Sequence, residues 1–152
     1  MALSDRPGVT DLFIPVKARG RLGPGLAHFG AETRRDFIRE PIEMQRLDDV
    51  IGTLGITRLD FIKCDIEGAE LAALRGAATA LQRFRPVVYA EINAAFTRRL
   101  DYSPQDLFNF LREFGYRAQQ VDETTLNAHP VPGYTVPGNY LFIARETKHQ
   151  NP

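Results

Sequence analysis

Three carboxylates follow one predicted strand of the chain, at the point where that strand would end. The strand is predicted over residues 59–65 and ends at Asp65, Glu67 follows two residues later, and Glu70 opens a helix rich in Ala and Leu. In open α/β sheets, ligands bind just beyond the carboxyl ends of the parallel strands. Carboxylates at that edge could remove a proton from a substrate hydroxyl or hold a divalent cation.

A second predicted strand, over residues 87–92, brings Glu91 and then Asn93 to the same edge. Neighbouring parallel strands lie about 4.8 Å apart, so these oxygens could converge with those of the first strand. One hypothesis is that Asp65, Glu91 and Asn93 hold Mg²⁺ or a substrate. The rival hypothesis needs no metal, because Asp65 or Glu67 would act as a general base. The catalytic candidates are therefore Asp65, Glu67 and Glu91.

Overall composition narrows the class of protein. The 152-residue chain has 19 basic and 19 acidic residues. This balance argues against nonspecific nucleic-acid binding, which relies on basic residues that neutralise phosphates. No apolar run approaches the roughly 20 residues that span a bilayer, so no membrane association is expected. The lone cysteine, Cys64, cannot form an internal disulfide, and the default expectation is a cytoplasmic protein.

The elements that must position the acids alternate between strand and helix. Apolar periodicity and turn residues predict strands over 11–17, 42–45, 59–65, 87–92, 116–121 and 140–144, helices over 47–54, 69–82 and 104–114, and a loop over 124–138. This alternation predicts an α/β fold with a mixed, mostly parallel sheet, to which the last strand pairs antiparallel. A single domain is expected over residues 11–145, with flexible tails at 1–10 and 146–152.

Several short motifs are spread along the chain between about residues 9 and 145. They are Leu47-Asp48-Asp49, Lys63-Cys64-Asp65-Ile66-Glu67-Gly68-Ala69-Glu70, Leu74-Arg75-Gly76-Ala77, Arg85-Pro86, Tyr102-Ser103-Pro104 and Gly138-Asn139-Tyr140. In these motifs the chain resembles the FkbM-type methyltransferases. The resemblance implies S-adenosylmethionine as methyl donor and O-methylation of a small molecule or a sugar. It also implies a Rossmann-like methyltransferase fold with the sheet order 3-2-1-4-5-7-6, of which this chain supplies strands 4, 5, 7 and 6.

Members of that fold hold the donor with a glycine-rich turn after the first strand and an acid that ends the second strand. Residues 1–46 show neither feature, so the donor-binding half is expected to be missing and the isolated chain inactive. The strand at 59–65 would then have a bare edge unless residues 11–17, a second subunit in a homodimer or a partner covers it. The alternative is a non-catalytic, truncated remnant that serves as an interaction or dimerisation module.

Overall fold

The computed structural model describes residues 1–17, 21–22, 27–28 and 37–145, which form two β-sheets with helices between and beside their strands. The strands are β1 (Ala2–Leu3), β2 (Gly8–Lys17), β3 (Arg21–Leu22), β4 (Phe37–Gln45), β5 (Phe61–Cys64), β6 (Val87–Ile92), β7 (Tyr116–Val121), β8 (Ala128–Val131) and β9 (Gly138–Ala144). The helices are α1 (Leu47–Leu54), α2 (Glu70–Arg75), α3 (Ala78–Phe84), α4 (Ala94–Thr97) and α5 (Pro104–Glu113).

The larger sheet has the strand order β5-β6-β9-β7-β8. β5 and β6 pair in parallel, whereas β9 pairs antiparallel with both β6 and β7. The α/β class, the mixed sheet and the antiparallel last strand are thus confirmed. The prediction of a mostly parallel sheet is wrong for the described strands, because β9 inserts between β6 and β7 and β8 folds back on β7. β8 lies within the predicted loop, where Pro130 is compatible with an edge strand.

The smaller sheet has the order β1-β4-β2-β3 and corrects the prediction for the first ten residues. Residues 1–10 were expected to form a tail, yet they include β1 and the start of β2. Their hydrogen-bonding partner is β4, which lies far along the chain and which local sequence does not reveal. The predicted tail at 146–152 lies outside the described residues. The single domain expected over 11–145 stays a prediction.

The predicted helix over residues 69–82 is divided into α2 and α3 at Gly76. The cause is Asp48, whose carboxylate accepts hydrogen bonds from the backbone N–H groups of Thr79 and Ala80, both at 2.9 Å. Its own N–H donates to the Gly76 carbonyl at 2.9 Å. A Cβ atom at Gly76 would lie 2.0 Å from the Ser4 carbonyl oxygen, so this close approach requires glycine. Asp48 therefore caps α3 and fixes where the second helix begins.

The core lies where β6 and β9 meet the helices. Val88, Ala90 and Ile92 on β6 are fully buried, whereas the alternate residues are half-buried or exposed, so the continuous apolar run buries one face of the strand and not both. α5 begins with a capping box in which Ser103 and Asp106 exchange hydrogen bonds, and it ends as the sequence predicts. Most of the other buried core side chains come from α2, α3, α5 and β9, and they include Leu71, Leu74, Leu81, Leu107, Leu111, Tyr140 and Phe142. This core fixes the carboxyl ends of β5 and β6 relative to each other.

Candidate functional site at the ends of β5 and β6

Asp65 and Glu91 lie side by side at the carboxyl ends of β5 and β6. Cys64 is opposite Ala90 in the parallel register, so the next residue on each strand is one of the two acids. The Glu91 carboxyl is close enough to Asp65 for the two groups to interact electrostatically. Partial burial, followed by the negative charge and the hydrogen bond of Asp65, raises the pKa of Glu91. The two carboxylates that the sequence placed on neighbouring strands are thus brought together.

Glu67 lies close enough to Asp65 for the two charges to interact. Burial, then the charges of Asp65 and Glu70, raise the pKa of Glu67, while the positive charge of Arg99 opposes this shift. Glu67 also has a positive backbone φ of 55°, a conformation that residues other than glycine rarely adopt. Such strain is concentrated at functional sites and turns, where the surrounding contacts enforce it.

Lys63 is the cation nearest to this group of acids along the strand. Its Nζ donates a hydrogen bond to Asp65 Oδ2 at 2.9 Å, and this bond, followed by the charge of Asp65, raises the pKa of Lys63. Both side chains are largely open to solvent, so the ion pair adds little to stability. Its effect is to orient the Asp65 carboxylate.

Two further polar residues belong to this edge and were not identified from the sequence as site residues. Glu123 follows β7, and its negative charge contributes to the raised pKa of Glu91. Asn139 lies opposite Glu91 in the register of β9 and donates a hydrogen bond from its amide nitrogen to the Glu123 carboxylate. Finding them needs the position of β9 between β6 and β7, which local sequence does not give.

Glu70 organises the turn that carries the acids. Its side chain is 1% exposed, and Oε1 accepts hydrogen bonds from the N–H groups of Ile66 and Gly68, both at 3.1 Å. The Tyr102 hydroxyl donates to the Gly68 carbonyl at 2.5 Å and lies 3.3 Å from Glu70 Oε2. Burial raises the pKa of Glu70, and the hydrogen bond from Gly68 opposes this shift. Glu70 is therefore a structural residue whose contacts hold Glu67 in place.

Asn93 has a structural role that competes with metal binding. Its Oδ1 accepts a hydrogen bond from the Ala95 N–H at 2.9 Å and so caps α4. The carboxylates of Asp65 and Glu91 are suitable ligands for a divalent cation. Asn93, the third predicted ligand, could coordinate the cation only through the second lone pair of Oδ1, because the first accepts the hydrogen bond from Ala95. Across the described part of the chain, no group of three His, Cys, Asp or Glu side chains is arranged to hold a metal ion. The Mg²⁺ site stays a prediction with an incomplete ligand set.

A cavity of about 490 Å³ opens next to Asp65 and Glu67, between β5 and the smaller sheet. Most of its lining is apolar, and its walls include Leu3, Leu12, Ile42, Leu47, Ile62 and Leu74. Lys63, Asp65 and Glu67 provide its polar end. An apolar cavity with a few convergent polar groups is the usual form of a small-molecule site.

The strand-to-helix connections do not offer a place for the methionine or ribose part of a nucleotide-like donor. At the β5–α2 connection the Gly68 N–H is already bonded to Glu70. Arg46 joins β4 to α1 and Asn93 joins β6 to α4, so these two connections lack glycine. None of these three connections is therefore a glycine-rich turn with free amides of the kind that holds such groups.

Comparison with known proteins gives one match. The family model described as the methyltransferase FkbM domain matches residues 3–118, which extend from β1 into β7. No curated protein and no solved structure matches the chain. No helix in the described ranges is long and apolar enough to cross a membrane.

Proposed function

The chain belongs to the FkbM methyltransferase domain family, and we propose that it provides the acceptor side of an S-adenosylmethionine-dependent O-methyltransferase. The acceptor would be a hydroxyl group of a small molecule or a sugar. The observation that supports this most directly is the pair of carboxylates, Asp65 and Glu91, at adjacent strand ends beside a cavity. The order β5-β6-β9-β7 supports equating these strands with strands 4, 5, 7 and 6 of a Rossmann-like methyltransferase fold.

The step assigned to this chain is removal of the acceptor proton. An acceptor hydroxyl that donates a hydrogen bond to Glu91 or Asp65 passes its proton to that carboxylate, and the acceptor oxygen acts as the nucleophile. The raised pKa of Glu91 makes it a stronger base than an isolated glutamate. Glu67 is the second candidate base. The donor, when bound, supplies an electrophilic methyl group on a sulfonium, but the described residues do not fit a cradle for it.

The test first asks whether the wild type transfers methyl groups from radiolabelled S-adenosylmethionine to any of a panel of sugars and phenols, which the expectation of an inactive isolated chain denies. If it does, two variants are compared with the wild type. We expect Glu91→Gln and Asp65→Asn to lower the rate by at least about 10²-fold, the usual contribution of a general base. Glu113→Gln, an exposed acid at the end of α5, is the matched control and should change nothing. Full activity in both site variants would refute the assignment.

The alternative function is a non-catalytic interaction module. It is favoured by the Gly68 N–H, which already donates a hydrogen bond to Glu70 and therefore cannot bind a methyl donor. Thermal-shift measurements separate the two functions without an acceptor. Stabilisation by S-adenosylmethionine supports the enzyme, because a ligand that binds only the folded state raises its melting temperature. No shift at millimolar donor, together with no methyl transfer, supports the module.

Metal dependence has its own test. Titration calorimetry with Mg²⁺ should detect binding that Asp65→Ala abolishes if Asp65, Glu91 and Asn93 are ligands. Absence of binding to the wild type would remove the metal hypothesis and leave the carboxylate base.

We also propose a cytoplasmic location, which the single, buried Cys64 supports.

A further inference from the structure

The outer edge of β5 has backbone groups without a strand partner among the described residues. β5 pairs there with β6 alone. The Val87 N–H donates to the Asp60 carbonyl at 2.9 Å, and Phe61 lies opposite Val87. The backbone N–H and C=O groups of successive residues point to opposite sides of a strand, so those of Ile62 and Cys64 point toward β6. Phe61 and Lys63 therefore present their N–H and C=O groups to the opposite, unpaired edge.

The cavity of about 490 Å³ lies along this edge rather than on a face of the sheet. Ile62, Lys63 and Cys64 all line it, although consecutive side chains of a strand point to opposite faces. On its far side the cavity is bounded by Ala2 and Leu3 of β1, which is the outermost strand of the smaller sheet. The cavity therefore separates the outermost strands of two sheets.

The first of the three candidates for covering this edge, residues 11–17, is engaged elsewhere. β2 contains residues 11–17 and pairs with β4 on one side and with β3 on the other. A second folded copy is a poor occupant as well, because β1 stands across the cavity and leaves room only for a narrow segment. Strands lie about 4.8 Å apart within a sheet, packed sheets lie about 10 Å apart, and a strand rises about 3.3 Å per residue, so one strand residue occupies roughly 160 Å³. A cavity of about 490 Å³ therefore holds about three residues.

We propose that this cavity is a binding site for an extended segment of another polypeptide, which pairs with the β5 edge as an added strand. The apolar lining calls for about three apolar residues in the segment. At the carboxyl end of β5 the cavity is bounded by Asp65 and Glu67, and among its described lining residues Lys63 is the one cationic side chain that opposes them. This charge calls for Lys or Arg in the segment where it leaves the cavity. The inference does not require the methyl-transfer reaction, but a segment that fills the cavity would exclude an acceptor molecule from it.

The test uses the full chain and a fluorescent peptide with a Val-Ile-Val centre and Lys at both ends. Fluorescence anisotropy should show saturable binding, and replacing the terminal Lys residues by Glu should weaken it. Phe61→Pro removes one N–H at the outer edge and leaves the β5–β6 hydrogen bonds intact, while Phe61→Val keeps that N–H. We expect Phe61→Pro to bind about tenfold more weakly than Phe61→Val.

Amide hydrogen exchange on the wild type keeps the test decisive if Phe61→Pro fails to fold. The amides of Phe61 and Lys63 should become protected when the peptide is added, with those of Ile62 and Cys64 protected throughout. No saturable peptide binding, or equal binding by the two variants, would overturn the proposal. Protection of Phe61 and Lys63 in a dimer of the chain alone would overturn it too, because the edge would then belong to a second copy.

Discussion

Replacing Glu70 by Ala or by Gln should have very different effects on stability. In Glu70→Ala the N–H groups of Ile66 and Gly68 lose their acceptor in a buried turn. Each unsatisfied buried donor costs about 1–3 kcal/mol, so we expect a loss of about 3 kcal/mol or more in the free energy of unfolding. Glu70→Gln keeps a carbonyl oxygen for both donors and removes a charge that burial disfavours. Its cost should stay within about 1 kcal/mol.

The pH dependence of this pair of variants follows from the raised pKa of Glu70. Because the folded state holds the proton more tightly than the unfolded state, this group favours folding most below its ordinary pKa of 4.5. That contribution is lost as the pH rises through the raised value of the folded state. The free energy of unfolding of Glu70→Gln should therefore increase relative to that of the wild type as the pH rises through this window.

Urea denaturation followed by circular dichroism measures both effects, at pH 4 and at pH 7. Glu43→Ala and Glu43→Gln, on the exposed side of β4, are the matched control pair and should differ little from each other. Equal destabilisation by Glu70→Ala and Glu70→Gln would refute the reasoning. The charge, rather than the acceptor for two backbone amides, would then be what the turn needs.

Three other substitutions test separate parts of the structure. Asp48→Ala removes the cap of α3 and should cost about 1–2 kcal/mol in urea denaturation, with Asp48→Asn recovering part of the loss. Gly68→Ala should destabilise the fold by more than 1 kcal/mol, since φ is 106° and the added Cβ would lie 2.8 Å from the Phe96 backbone; an unchanged midpoint would contradict this. Glu91→Gln should stabilise the fold at pH 7 by about 0.5 kcal/mol, because it removes repulsion from Asp65, and the gain should vanish near pH 4.

The pairing of the main acids could be predicted from the sequence because it depends on local signals. Asp65 and Glu91 each follow an apolar run, and the register of two parallel strands suffices to bring them together. The contribution of Glu123 and Asn139 depends on β9 entering the sheet between β6 and β7. That insertion is a long-range event that no periodicity in either segment encodes; only the strand order 4-5-7-6 implied by the family resemblance predicts it.

The helix boundaries show the same distinction. α5 carries its own capping box and proline at its start and Gly115, with a φ of 78°, just after its end, so both of its ends follow from the sequence. The break between α2 and α3 depends on Asp48, which lies on α1, far from α3 in the sequence. Its carboxylate caps the first turn of α3, and this contact forms only in the folded chain. The strands within residues 1–10 were missed for a similar reason, since β4 supplies their hydrogen bonds.

The contact between Gly76 and Ser4 has an evolutionary consequence. With no room for even a methyl group at position 76, the amino-terminal sheet and the helical layer meet there at their closest. Because that contact is with the backbone carbonyl of Ser4, no change of side chain at position 4 can relieve it, and any lineage that replaces the glycine must first move the backbone at Ser4 away from the junction of α2 and α3.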